Sequence, residues 1–145
     1  MLKYLNSSSK KGLNIFNSLA LINAEYTSGE FKGNRVETAA EYINRIGVTY
    51  YDNRLSATFE VSNNGDAYGD ATNAKISSDP VAGYIPAYTV LDASFTYRLK
   101  SFSVKAGMNN IADKKYFTLR ADEYPGPGII PSIGRNFYVG VSTKF

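Results

Sequence analysis

Residues 55–62 read Leu-Ser-Ala-Thr-Phe-Glu-Val-Ser, an unbroken alternation of apolar and polar side chains. A period of two belongs to a β-strand, because successive side chains leave opposite faces of the pleat. The same pattern recurs three more times. In 90–99, Leu91, Ala93, Phe95, Tyr97 and Leu99 alternate with Val90, Asp92, Ser94, Thr96 and Arg98. In 102–109, Phe102, Val104, Ala106 and Met108 alternate with Ser103, Lys105, Gly107 and Asn109. In 136–145, Phe137, Val139, Val141, Thr143 and Phe145 alternate with Asn136, Tyr138, Gly140, Ser142 and Lys144. Two weaker strands are expected before these. In 42–51, Ile46, Val48 and Tyr50 share a face; in 13–27, Phe16, Ala20, Ile22, Ala24 and Tyr26 do. Val36–Glu41 has some helical character but reads better as a loop rising into the 42–51 strand.

The connections alternate in length as regularly as the strands alternate in polarity. Tyr51-Asp52-Asn53-Arg54 and Lys100-Ser101 are tight turns, whereas 28–41, 64–87 and 120–134 are long. Short turns at one end and long loops at the other are the layout of bacterial outer-membrane barrels, with turns periplasmic and loops extracellular. The strands have the length needed to cross hydrocarbon at a tilt, about 9–11 residues. On the apolar faces of the four clear strands only Thr143 is polar. The charges Glu60, Asp92, Arg98, Lys105 and Lys144 all fall on the other face, where they avoid lipid. Aromatic residues cluster at the strand ends. Tyr50, Tyr97, Phe102 and Phe145 lie toward the turns, and Tyr26, Tyr42 and Tyr88 toward the loops, as two interfacial girdles would. The expected fold is all-β: an antiparallel transmembrane barrel segment of about six strands. A soluble sandwich or lipocalin-like barrel with one apolar face is the competing reading of the pattern alone.

Composition narrows the function. There is no cysteine and no histidine, which removes disulfides, thiolate and histidine metal sites, and Ser-His-Asp hydrolysis. The net charge of +3 is too small to indicate a nucleic-acid surface. The run Asn64-Gly65-Asp66-Ala67-Tyr68-Gly69-Asp70 lacks EF-hand spacing and reads as a solvated loop. No enzyme, metal or cofactor is expected. No apolar stretch reaches the length of a transmembrane helix, and no secretory leader is visible at Met1.

At Met108-Asn109-Asn110-Ile111-Ala112-Asp113-Lys114-Lys115-Tyr116-Phe117 the chain resembles the penultimate strand of TonB-dependent outer-membrane receptors. Gly134-Arg135-Asn136-Phe137-Tyr138 and a final Phe145 resemble the start and end of the family's last strand. Tyr88-Thr89-Val90-Leu91-Asp92 fits the strand before it, and the loop 120–131 is similar to the ferric-citrate branch. Ala112 stands where the family usually has Phe. The resemblance is strongest over 84–145 and implies that residues 1–145 are the C-terminal part of a barrel of about 22 strands. The plug domain, the TonB box and the leader would lie outside this chain. It further implies bacterial outer-membrane localisation and import of a ferric-siderophore or ferric-citrate-like complex. Contact with TonB and with that ligand would come only through the full-length receptor; surrounding lipid and the barrel-assembly machinery would be the other partners. The alternative is a small self-assembling structural or adhesion barrel.

Ligand contacts in such a receptor would come from the long loops. Arg120 and Arg135 flank the last loop and could bind carboxylates bidentately, if they are not occupied by a loop acid such as Asp122 or Glu123. Asn109, Asn110 and Asp113 read as structural, closing a kink. Phe145 resembles the terminal assembly signal.

Overall fold

The structure, a computed structural model, describes residues 11–122 and 126–143. It contains β1 (Gly12–Leu21), β2 (Tyr42–Tyr51), β3 (Leu55–Asn64), β4 (Ala67–Tyr68), β5 (Tyr84–Ile85), β6 (Tyr88–Arg98), β7 (Phe102–Asn109), β8 (Phe117–Ala121), β9 (Gly128–Pro131) and β10 (Asn136–Thr143). Six of these form one sheet in the order β1-β2-β3-β6-β7-β10, with every neighbouring pair antiparallel. The sheet is therefore a meander, interrupted only by two small hairpins. β4 pairs with β5 inside the second long loop, and β8 with β9 inside the third. Those hairpins were not expected; each pairs only two to four residues, too few for a period to register in sequence. The Val36–Glu41 segment is a loop, as expected.

The register fixes the two faces. One outward row runs Leu13, Tyr50, Ala57, Phe95, Ala106, Val139 across all six strands. The next runs Ile15, Val48, Phe59, Ala93, Met108, Phe137. Within these rows Tyr50 and Phe95 flank Ala57, and Phe59 lies beside Ala93. Among the described residues nothing covers this face: Leu13 is 68% exposed and Phe137 79%. The buried apolar core of the described residues amounts to Ala67, Ile85 and Val90. A sheet with no core holds itself in water poorly. In a bilayer the same uncovered face is solvated by lipid, and the ladder satisfies the backbone. The opposite face is polar. Thr49 and Thr58, paired across β2 and β3, join their hydroxyls at 2.8 Å, and Ser103 and Ser142 do the same across β7 and β10.

Three expectations change. The first strand ends at Leu21 rather than continuing toward residue 27. Its lipid-side residues are Leu13, Ile15, Leu19 and Leu21, not the set containing Phe16 and Ala20. The strand is apolar on both sides, so its period was ambiguous; pairing with β2 decides it. Phe16 lies on the polar face against Gly47, where a Cβ on Gly47 would come within 2.4 Å of the ring. Finally, of the tyrosines expected in a loop-end girdle only Tyr42 faces outward. Tyr88 shares the inner face with Val90 and stacks on Tyr116 at 4.2 Å. Tyr26 sits beyond β1 and its hydroxyl donates to Glu37.

The outward face turns polar toward the loops in a self-satisfied way. Asn44 Nδ2 donates to Asn17 Oδ1 at 2.7 Å, and Thr89 Oγ1 donates to Asn63 Oδ1 at 2.9 Å. Asn44, Asn63 and Thr89 are consecutive partners in one row, which marks the upper limit of the continuous apolar band.

Candidate functional site at the long-loop end

The three long connections stand together above the sheet, and the middle one, 65–87, is held from both sides by an arginine. From the first loop, Arg35 Nη1 reaches Asp66 Oδ2 at 3.0 Å and Glu41 Oε1 at 3.2 Å, while Nη2 donates to the carbonyl oxygens of Asp66 and Ala39. Its guanidinium lies 5.3 Å from the Tyr68 ring centroid. The backbone supports the same contact. Arg35 N–H donates to Asn73 Oδ1 at 2.7 Å, and Asn73 Nδ2 returns a bond to the Arg35 carbonyl at 2.9 Å. Asn34 Nδ2 donates to the Ala71 carbonyl. Beside this clasp, the Tyr26 hydroxyl holds the Glu37 carboxyl below the usual carboxylate range.

From the third loop, Arg120 Nη1 donates to the Pro80 carbonyl at 3.0 Å and Nη2 to the Tyr84 carbonyl at 3.3 Å. Its guanidinium also lies over the Phe117 ring, 5.4 Å from the centroid. Gly69 permits this approach. A Cβ there would come 2.8 Å from Arg120 Cδ and 2.7 Å from the Val81 carbonyl oxygen. Arg120 Nε is buried without a hydrogen-bond partner. A hollow of about 470 Å³ opens beside it, lined by Asp70, Thr72, Asp79, Arg120 and Asp122 among others. Burial pushes the Asp70 carboxyl up, but bonds from Thr72 and the Gly83 N–H, with Arg120 nearby, outweigh it and hold the group below its ordinary value.

The third loop is anchored by the Asn-Asn-Ile-Ala-Asp turn. Asn110 is 2% exposed. Its N–H donates to Asp92 Oδ1, its Oδ1 accepts from the Lys114 N–H at 2.8 Å, and its Nδ2 donates to the Lys114 carbonyl at 2.9 Å. Asn110 and Asp113 both adopt φ of 51°, the left-handed region that Asn and Asp tolerate better than other side chains. Asp113 Oδ1 accepts the Arg135 N–H at 2.9 Å and Oδ2 pairs with Lys115 Nζ at 3.0 Å; the first of these does most to hold its carboxyl below the usual range.

Sequence reasoning placed Arg120 and Arg135 together as ligand contacts. The structure separates them by partner. Arg120 is committed to carbonyls of the middle loop rather than to Asp122, while Arg135 is exposed and its backbone closes the Asp113 turn. Phe145 and Glu123 lie outside the described residues. Arg35, which organises more of the site than either, was missed. A single arginine in a polar loop carries no periodic or motif signal.

Comparison with known proteins agrees with this architecture. The family model "TonB dependent receptor-like, beta-barrel" matches residues 5–111. No curated protein matches the chain. Among solved structures, the ferric citrate transporter FecA in its unliganded form is 26% identical with a TM-score of 0.83, covering 92% of this chain and 21% of that one. The siderophore receptor PiuA from Acinetobacter baumannii is 21% identical with a TM-score of 0.69, over 89% of this chain and 19% of that one. A mutant of the ferric enterobactin receptor PfeA from Pseudomonas aeruginosa is 22% identical with a TM-score of 0.69, over 92% and 20%. The chain spans about a fifth of the length of the structures it matches.

Proposed function

The chain belongs to the TonB-dependent receptor β-barrel family of the bacterial outer membrane, and we propose that it forms the last part of the wall of a receptor that imports ferric-siderophore or ferric-citrate-like complexes. The observation that carries this is the six-stranded meander. Its face is uncovered and apolar, its order is consecutive, and it superposes on the ferric citrate transporter over nearly its whole length. Motifs 108–117 and 134–138 support placement at the family's last two strands. In this reading the chain has no enzymatic step. Its loops form one side of the extracellular mouth, and the plug and the TonB contact belong to the rest of the receptor. Arg135, exposed at the loop base, is available to an anionic complex. Arg120 becomes available only if it leaves the Pro80 and Tyr84 carbonyls. Lipid surrounds the outer face, and Phe145 serves the barrel-assembly machinery as a terminal signal.

The wall reading rests on backbone physics. β1 and β10 each have one neighbour, so each presents a free edge. An unpaired backbone group in hydrocarbon costs several kcal/mol, so two free edges outweigh the ~5–15 kcal/mol net stability of an ordinary domain. The chain directed to the outer membrane alone should give no TonB-dependent uptake of labelled ferric citrate. Co-expression with a ferric citrate receptor lacking the corresponding strands should restore uptake. Uptake by the chain alone, or no restoration with the complementing piece, overturns the proposal.

A further inference from the structure

On the inner face, where β6, β7 and β10 run up to the third long loop, a hollow of about 440 Å³ opens. That size falls within the ~300–1,000 Å³ span of small-molecule sites. Asp92, Asn109 and Asn136 line it from the strands, and Tyr116, Ser132 and Ile133 from the loop. Ser132 N–H donates to the Tyr116 carbonyl at 3.0 Å, which ties the loop side together. The Tyr116 ring is held in turn by its stack on Tyr88.

Two acceptors are preset in this hollow. Asn136 Nδ2 donates to the Gly134 carbonyl at 3.1 Å, which fixes the orientation of its amide. Asn109 Nδ2 donates to Asn136 Oδ1 at 2.9 Å, so Asn109 Oδ1 remains as an acceptor. Asp92 lies beside Asn109, each one step beyond the Ala93–Met108 pair. Asp92 Oδ1 accepts the Asn110 N–H at 2.8 Å, which leaves Oδ2. Among the described residues no cation pairs with Asp92, and none lines the hollow.

This lining selects by charge and by shape. A carboxylate entering it would meet Asp92, with Glu60 directly across on β3, and no positive charge. A hydroxyl, by contrast, donates to either free oxygen. The rest of the surface is amide, hydroxyl and apolar: Val90, 8% exposed, and Ile133 stand with the Tyr116 ring. A pyranose carries hydroxyls round its edge and C–H groups on its face, which matches both halves. We infer that the hollow is a subsite for a neutral, sugar-like polyol. Its hydroxyls donate to Asp92 Oδ2 and Asn109 Oδ1, and its C–H face lies against Val90 and Ile133. This deepens the import reading above and rests on it: the part of the cargo that meets this wall is hydroxyl-rich, and any anionic part lies elsewhere.

The test uses the full-length receptor that contains this chain, in detergent micelles, with methyl α-glucoside, citrate and ethylammonium as probes. Affinities are read by saturation-transfer NMR. The glucoside should bind and citrate should not. Asp92→Asn keeps the oxygen that accepts from Asn110 but turns the free acceptor into a donor, so glucoside binding should weaken about tenfold. Exchange of the Lys114 amide should stay at the parent rate, which separates loss of the acceptor from loosening of the turn. Ile133→Ser, at an exposed side chain, should weaken binding about fivefold by removing part of the apolar wall. Absence of glucoside binding, glucoside binding indifferent to both substitutions, or tighter binding of citrate or ethylammonium overturns the subsite. Bound glucoside in a receptor without TonB-dependent uptake of labelled ferric complex supports the subsite and overturns the import reading.

Discussion

Arg35 Nη1 stands 3.0 Å from Asp66 Oδ2, in a pair whose side chains are only 20% and 26% exposed. This contact joins the first long loop to the second, beside the Asn34–Ala71 and Arg35–Asn73 bonds. Exposed ion pairs contribute little, but a half-buried one with added carbonyl bonds belongs to the charged hydrogen-bond class, at about 1.5–3 kcal/mol. In the assembled receptor, Arg35→Gln should loosen loop 65–87, and tryptic cleavage after Lys75 should accelerate about tenfold. Asp66→Asn should do the same, and the double variant should be little worse than either single one.

Gly47 is required by Phe16. A Cβ at Gly47 would meet ring atoms at 2.4 and 2.5 Å and the Phe59 carbonyl oxygen at 3.0 Å. Gly47→Ala should cost about 1–3 kcal/mol by overpacking, measured by urea unfolding in vesicles. Combining it with Phe16→Ala should recover part of the loss. No recovery would place the clash with Phe59 rather than with the ring.

Asn110→Ala should cost more than any exposed-loop substitution, about 2–4 kcal/mol. It takes the Asn110 partner from the Lys114 N–H and carbonyl in a part-buried turn and puts alanine at positive φ. Asn110→Gly keeps the conformation but not the bonds, so it should recover only part. Hydrogen exchange of the Lys114 amide reports both.

The Asp113 turn should weaken in acid. Its folded carboxyl is held below the ordinary value by the Arg135 N–H and then by Lys115. The stabilisation is therefore fully present above about pH 3.9, the unfolded value, and disappears as pH falls through the folded one. Asp113→Asn should flatten this acid dependence by raising loop exchange near neutrality toward the level the parent reaches in acid.

Strand order, turn positions and the faces of five of the six wall strands were legible in the sequence because a two-residue period is purely local. β1 was not, since Leu13, Phe16, Leu19 and Ala20 put apolar groups on both sides and only pairing with β2 distinguishes them. Tyr88 was misplaced for a related reason. At a strand end it looked interfacial, but its parity matches Val90 and its partner Tyr116 is far along the chain. The structural role of Asn110 and Asp113 was legible because their residue types suit a left-handed turn. The Arg35 and Arg120 clasps were not, because they depend on loops meeting across 31 to 40 residues of chain.

The chain has no cysteine, so each introduced one carries a single label. Spin labels placed in turn at 89 through 97 along β6, in the assembled receptor in lipid, test the two faces directly. Labels at 91, 93, 95 and 97 should be relaxed by oxygen dissolved in the bilayer. Labels at 90, 92, 94 and 96 should be shielded from it and respond instead to a water-soluble relaxant or to packing. A clear two-residue alternation in that phase is the expected result; the opposite phase, or no alternation, would contradict the placement of this sheet in a membrane wall.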